Sequence, residues 1–218
     1  MPENTIDSII FDFGGVIINI DHQKVENAFH ELGINDFEQM FSKAVQSDLF
    51  QKFEKGMINS GTFRKMIKEI TGLKLSDHEL DFAWNHIIGD YPPERIELLK
   101  QIGDNYRLFL LSNTNQIHYD YYIHLFKQQF GFEFESLFEA VFWSFKVGKR
   151  KPDQEAYLHV FRECGLAPEN TLFIDDTLIN IIQARKTGLK AYYLMEHQDI
   201  IELFEDGKLS ESILNSFE

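Results

Sequence analysis

The stretch Ile9–Ile17, IIFDFGGVI, sets a single carboxylate, Asp12, into an apolar run with Gly14 and Gly15 close behind it. A strand core has no use for an unpaired charge. A surface turn has no need of Ile9, Ile10 and Phe11 in front of it. Two readings fit the stretch taken alone: a short strand whose turn Asp12 caps, or a catalytic carboxylate carried to the rim of a buried sheet. The rest of the chain selects between them.

Five short runs are apolar without alternation: SIIFDF (8–13), YRLFLLS (106–112), EAVFWS (139–144), TLFID (171–175) and KAYYL (190–194). Continuous apolarity marks parallel strands covered on both faces by helices. Helical patterns separate the later runs. One spans 112–130. A second spans 151–165, opening at Pro152 and Asp153 and closing at Gly165, and a third spans 176–188, ending at Gly188. This repetition predicts an α/β domain with a doubly wound parallel sheet. Between the first two runs no strand is evident. Instead four amphipathic segments, 22–33, 36–56, 60–72 and 76–89, each end near a glycine. The span 17–91 is too long for one crossover helix and reads as a helical insert, with 1–16 and 92–218 forming the core domain. DYPPE (90–94) returns the chain to the core, with Pro93 at a helix start.

Composition bounds the function. The 218 residues are 44% hydrophobic and include 21 phenylalanines, enough for one sizeable, aromatic-rich core and a smaller insert. A formal net charge of -14 argues against nucleic-acid binding. It leaves room for a small anionic substrate met by local cations or a metal. Cys164 is the sole cysteine, so no internal disulfide forms and a reducing compartment fits. MPENTIDSII lacks the basic and apolar regions of a signal peptide, and no run reaches the length of a membrane span. A soluble cytoplasmic protein is the expectation.

Open parallel sheets bind ligands beyond the carboxyl ends of their strands. The first run delivers Asp12, Gly14 and Gly15 there, the second Ser112, Asn113 and Thr114, and the fourth Asp175 and Asp176. VGKRKPD (147–153) offers a cationic loop in which Pro152 keeps Lys151 extended. Singly, LSNTN reads as a helix N-cap and KRKPD as a solvated loop. Asp175 and Asp176 repel each other unless a cation joins them. The convergence of all these pieces on one edge of one sheet favours the catalytic reading of Asp12.

Four separated motifs, FDFGGV, LLSNTN, GKRKPD and FIDDT, resemble in type and order those of the haloacid dehalogenase-like (HAD) superfamily of hydrolases, over nearly the whole chain. The insert resembles that superfamily's helical cap. FDFGGV, KRKPD and FIDDT look most like the subgroup of capped sugar-phosphate phosphatases of the glucose-1-phosphate type; similar sequences occur fused to epoxide hydrolase domains. The resemblance implies a Rossmann-like core and a Mg²⁺-dependent phosphatase of small phosphorylated metabolites such as sugar phosphates. Asp12 would be the nucleophile, forming an aspartyl-phosphate. Asp12, the Gly14 carbonyl and Asp176 would hold Mg²⁺, with Asp175 as a further or outer ligand. Ser112 and Asn113, with nearby amides, would hold the phosphoryl oxygens, and Lys151 would neutralise charge on Asp12 and on the transferring group. Gly15 would let the backbone turn beneath the phosphate.

The pattern breaks at Gly14. The superfamily's phosphatases usually carry there a second aspartate that protonates the leaving oxygen. Asn180 likewise stands where a further acidic residue often follows. General acid–base catalysis is worth about 10²–10⁴-fold, a small part of the up to about 10²¹-fold open to phosphate-monoester hydrolysis. A site lacking one such group remains a useful enzyme, above all with a good leaving group. Asp21 or His22, at the entrance to the insert, is the alternative proton source, although Asp21 also reads as a helix N-cap. Two other functions stay open: a metal-free haloacid dehalogenase, which also lacks the second aspartate, and a non-catalytic binding or regulatory protein. The Asp175–Asp176 pair argues against the first, and retention of Asp12, Ser112, Lys151 and Asp176 against the second. In the insert, Phe50, Phe53, Trp84 and His86 either line a pocket or build the bundle core, and DYYIHLF (120–126) reads as helix packing.

Overall fold

The computed structural model describes residues 6–34, 36, 38, 41, 42 and 48–217. Ile9, Ile10 and Phe11 lose all contact with solvent because their strand, β1 (Ser8–Phe11), lies in the middle of a five-stranded parallel sheet. In chain order follow α1 (His22–Glu31), α2 (Leu49–Glu54), α3 (Ser60–Thr71), α4 (Asp77–Asn85), α5 (Pro93–Ile102), β2 (Arg107–Ser112), α6 (Gln116–Phe130) and β3 (Ala140–Trp143). The chain continues with α7 (Gln154–Cys164), β4 (Thr171–Asp175), α8 (Leu178–Arg185) and β5 (Lys190–Tyr193). The strand order is β3-β2-β1-β4-β5, with Ser8 level with both Arg107 and Thr171. All five apolar runs are therefore strands, and the parallel sheet is doubly wound as its pattern predicted. The insert segment 36–56 lies partly outside the described residues.

Alternation along each strand splits the core. Ile9, Phe11, Leu110 and Ile174 pack with α5, α6 and the C-terminal segment. Ile10, Phe109, Leu111 and Phe173 pack with α7 and α8. The expected aromatic richness concentrates on the first face, where the Phe13 ring meets Tyr122 at 4.5 Å, Phe134 at 5.2 Å and Trp143 at 5.4 Å. Among the described residues no helix is long and apolar enough to cross a membrane.

The helices between β1 and α5 have local reasons to form. Asp21 accepts from the Lys24 amide at the start of α1, Asn59 caps α3, and Ser76 and Glu79 form a capping box on α4. Phe29, Phe53, Phe63, Ile67, Leu80 and Trp84 bury against one another in a cluster of their own. The two linkers to the core run side by side, joined by Asn19 N–H to the Asp90 carbonyl at 3.0 Å and Asp21 N–H to the Ile87 carbonyl at 2.8 Å. Buried Arg95 ties them to the C-terminal segment through Asn19 and Asp199.

A second connection lies at the end of α2. Glu54 accepts from Arg150 and Lys55 donates to Asp153. Gly56, at φ 65°, comes so close to the core that a Cβ would overlap the Phe145 carbonyl oxygen. Gly72 has a similar φ of 70° but open space around it. Gly72→Ala should cost about 1–2 kcal/mol for its left-handed backbone alone. Gly56→Ala should cost clearly more, because backbone must also shift; urea unfolding of both variants measures the difference.

Candidate active site

The order β3-β2-β1-β4-β5 places the topological switch between β1 and β4, where such sheets open a crevice. Asp12 leaves β1 at this point, its N–H donating to the Ile174 carbonyl at 2.9 Å. The chain then turns tightly, with the Ile17 and Ile18 amides both donating to the Phe13 carbonyl. Gly15 sits in the turn at φ 74°, pressed against the Asp176 carboxylate, which a Cβ would overlap. Only glycine satisfies both demands. Gly14 is different: its φ is not left-handed, and a Cβ would meet only the tip of exposed Ile20, at 3.3 Å.

Lys151 is the centre of the site. Its side chain is 1% exposed, and Nζ donates to Asp12 Oδ1 at 2.8 Å and to Asp175 Oδ2 at 2.6 Å. Asn113 fixes its main chain from both sides, accepting from Lys151 N–H and donating to Lys151 O, each at 2.8 Å. Asp12 Oδ1 also accepts from the Phe13 amide at 2.6 Å, which leaves Oδ2 without a hydrogen bond among the described residues. Asp175 is fully buried and saturated: besides Lys151 it accepts from the Thr177 amide and from Asn180 Nδ2. Asp176 faces the cavity instead, accepting at Oδ1 from the Thr177 hydroxyl.

Ligand atoms of Asp12, Asp175 and Asp176 lie within 4.8 Å of one another. One ammonium cannot balance three carboxylates. Burial pushes the Asp12 carboxyl up to about 8; Lys151 opposes the rise, while Asp175 and Asp176 add to it. Burial and then Asp175 also push Asp176 up. Burial pulls the Lys151 ammonium down, but Asp12 and Asp175 outweigh it and hold it above the ordinary lysine range. A compact, all-oxygen, electron-rich cluster of this kind fits a hard divalent cation such as Mg²⁺. Asp12 and Asp176, which face the cavity, would hold it, with the Gly14 carbonyl beside them.

The sequence-predicted residues thus converge with divided duties. Asp12, Gly14, Ser112, Asn113, Lys151 and Asp176 line one cavity of about 820 Å³ between the sheet and the helical insert. Ser112 is buried at its floor. The Asn113 side chain is engaged with the main chain of Lys151. Thr114 is pinned by paired hydrogen bonds with Ser144, and Asn115 takes the N-cap role in LSNTN. In the insert, Phe50 and Trp84 line the cavity, Phe53 belongs to the bundle core, and His86 turns back onto the Phe82 carbonyl. Of the two alternative proton sources, His22 reaches the cavity, whereas Asp21 is the helix cap. Ser144, Glu54 and Arg150 carried no signal of their own, because each acts through a partner distant in sequence.

Residues 6–188 match the model of the haloacid dehalogenase-like hydrolases. The chain belongs to this family. A family enzyme of Bacteroides thetaiotaomicron, solved in complex with magnesium and inorganic phosphate, has a TM-score of 0.85 and 33% identity, over 92% of this chain and 100% of that one. A D-ribitol-5-phosphate phosphatase of the same species is 28% identical over 187 residues, 86% of this chain and 91% of the relative. A sesquiterpene phosphatase of Aspergillus oryzae is 25% identical over 207 residues, 88% of this chain and 91% of the relative.

Two outcomes follow from this geometry. Magnesium at a hundredfold excess over its Kd should raise the melting temperature by roughly 5–10 °C, and Asp176→Ala should lose most of that shift; differential scanning fluorimetry measures it. Asn113→Ala should leave the fold intact yet lower kcat by about 10–100-fold, because Lys151 loses the clamp on its main chain; steady-state kinetics on an aryl phosphate with matched circular dichroism checks this.

Proposed function

We propose that the protein is a Mg²⁺-dependent phosphatase of small phosphorylated metabolites, acting through an aspartyl-phosphate. One observation carries the reading: Asp12 is held by Lys151 and the Phe13 amide at one oxygen and left open at the other, beside a second cavity-facing carboxylate. The names of the two phosphatase relatives and the magnesium–phosphate complex of the Bacteroides enzyme support it. A metal-free dehalogenase has no use for the clustered Asp12, Asp175 and Asp176, and a non-catalytic protein none for a buried Lys151 clamped at both main-chain groups. The single cysteine fits a reducing compartment, so the cytoplasm is the proposed location. Residues 17–91 act as the cap over the site.

When bound, Mg²⁺ supplies charge neutralisation for the phosphoryl oxygens and for the carboxylates around them. Asp12 attacks phosphorus through its open oxygen; the P–O bond to the alcohol breaks, and the electron pair leaves with that oxygen. Lys151 holds the nucleophile in line and offsets the negative charge that gathers there. Ser112, at the cavity floor, binds a phosphoryl oxygen. Water then attacks phosphorus of the aspartyl-phosphate, releasing inorganic phosphate; the P–O bond to Asp12 breaks with its electron pair returning to the carboxylate, and the proton shed by the water balances the one the leaving oxygen takes up from solvent.

The leaving oxygen is the weak point. Gly14 brings no acid, Asp21 is committed to its helix, and burial drives His118 down to about 4, leaving it neutral; of the alternative proton sources only His22 reaches the cavity. Substrates with a stable leaving oxygen, such as an anomeric sugar phosphate, need that help least. The D-ribitol-5-phosphate phosphatase relative supports a polyol or sugar phosphate as substrate.

Asp12→Asn, nearly isosteric, should abolish turnover without unfolding the protein; wild-type-like rates in a deamidation-checked sample would refute the mechanism. Gly14→Asp should speed alkyl phosphates, by no more than about 10²–10⁴-fold, and barely affect aryl phosphates. The backbone tolerates it, since Gly14 is not left-handed and Ile20 can move. Gly14→Asn is the control, and equal behaviour of the two variants on both substrates would show that no acid is missing.

A further inference from the structure

The cavity above Asp12 extends into the cap, where its charges are one-sided. Glu26, Glu38, Asp48 and Glu54 line that half, and Arg150 is its one cation among the described lining residues. The charge of Arg150 is already paired: its Nε donates to Glu54 Oε2 at 2.8 Å. His118 offers no charge either, because burial keeps it neutral and its ring meets the Trp84 carbonyl and Asn115. Gln51 and His22 stand beside the carboxylates, and Ile18, Ile20, Val25 and Ile88 face the rest of the space. Phe50, which also lines it, stacks on Phe41 at 4.7 Å and on Trp84 at 5.4 Å. The wall therefore receives an uncharged group and opposes a second anion, a device of exclusion rather than attraction.

Building on the phosphatase reading above, we propose that the substrate is the monophosphate ester of an uncharged alcohol, and that Glu54 determines this specificity by neutralising Arg150. Bisphosphates and phosphorylated carboxylic acids are shut out because their second anion would enter a wall of carboxylates whose one cation among the described lining residues is paired with Glu54. A polyol, a sugar or an apolar alcohol meets no such opposition.

The test uses the full chain with saturating Mg²⁺ at pH 8. Phenyl phosphate, D-ribitol 5-phosphate and geranyl monophosphate represent uncharged alcohols; fructose 1,6-bisphosphate and 3-phosphoglycerate represent anionic ones. Wild type should favour one or more of the uncharged alcohols by about tenfold or more in kcat/KM, the scale of one partly hydrated charge–charge contact. Glu54→Gln frees Arg150 and should narrow that ratio about three- to tenfold, chiefly through a lower KM for the anionic esters. Glu54 also joins cap to core, so Glu26→Arg, a change at an exposed position of α1, provides a second variant with the same expected direction. Turnover of phenyl phosphate with no discrimination by wild type, or a ratio unmoved in both variants, overturns this inference and leaves the phosphatase reading standing. No turnover of any ester, phenyl phosphate included, overturns both.

Discussion

The Lys151 ammonium, buried between Asp12 and Asp175, is the contact on which the rest of the site depends. A charge removed from water is tolerated only when opposite charge and hydrogen bonds meet it closely. Here both carboxylates arrive from strand ends that are hydrogen-bonded neighbours, β1 and β4. The lysine itself comes from a loop beyond β3, held by Asn113 at the end of β2. Two strand ends are thus locked to a single nitrogen, and a third, through Asn113, holds the main chain of the same lysine. Displacing any of them strands a buried charge, which ties the geometry of the nucleophile to the stability of the sheet.

The same contact explains the division of labour in the FIDDT pair. Successive side chains along an extended chain point to opposite sides. Asp175 points inward, where Lys151, Asn180 and the Thr177 amide use all its acceptor capacity. Asp176 points to the cavity and leans on Gly15. One carboxylate is therefore structural and electrostatic, and its neighbour is free to meet a metal. Asn180 is part of this arrangement. Where a third acid would add charge, its amide donates two hydrogen bonds to Asp175 and stabilises the charge already there.

The sheet was legible in the sequence because parallel strands buried on both faces leave unbroken apolar runs. Those five runs end at the same edge as the polar motifs. Asp12 was legible for the same reason, being a charge that an apolar strand would not otherwise carry. The uses of Asn113, Ser144 and Arg150 were not legible. Each is set by a partner 30 to 96 positions away, and no local pattern records such a distance. Asn113 shows the limit well. Its position beside Ser112 suggested a phosphate contact, and nothing local recorded that its side chain clamps the main chain of Lys151. Phe50 and Phe53 show another. Their spacing along one helix does not distinguish the ring that lines the cavity from the ring that fills the bundle.

A protein with a formal net charge of -14 must still accept a phosphate dianion, and long-range steering works against it. The resolution has to be local. With all three carboxylates ionised, Asp12, Asp175 and Asp176 outweigh Lys151 by two negative charges, so the bare cluster repels phosphate as the surface does. A divalent cation cancels that excess and converts the same cluster into a neutral receptor lined by a buried hydroxyl and an ammonium. Metal occupancy is then a condition of substrate binding as well as of chemistry. The acidic cap wall has the opposite effect on any part of the substrate other than its phosphoryl group. On the proposed reading the two regions together admit one anionic group, at one place, with phosphorus over Asp12.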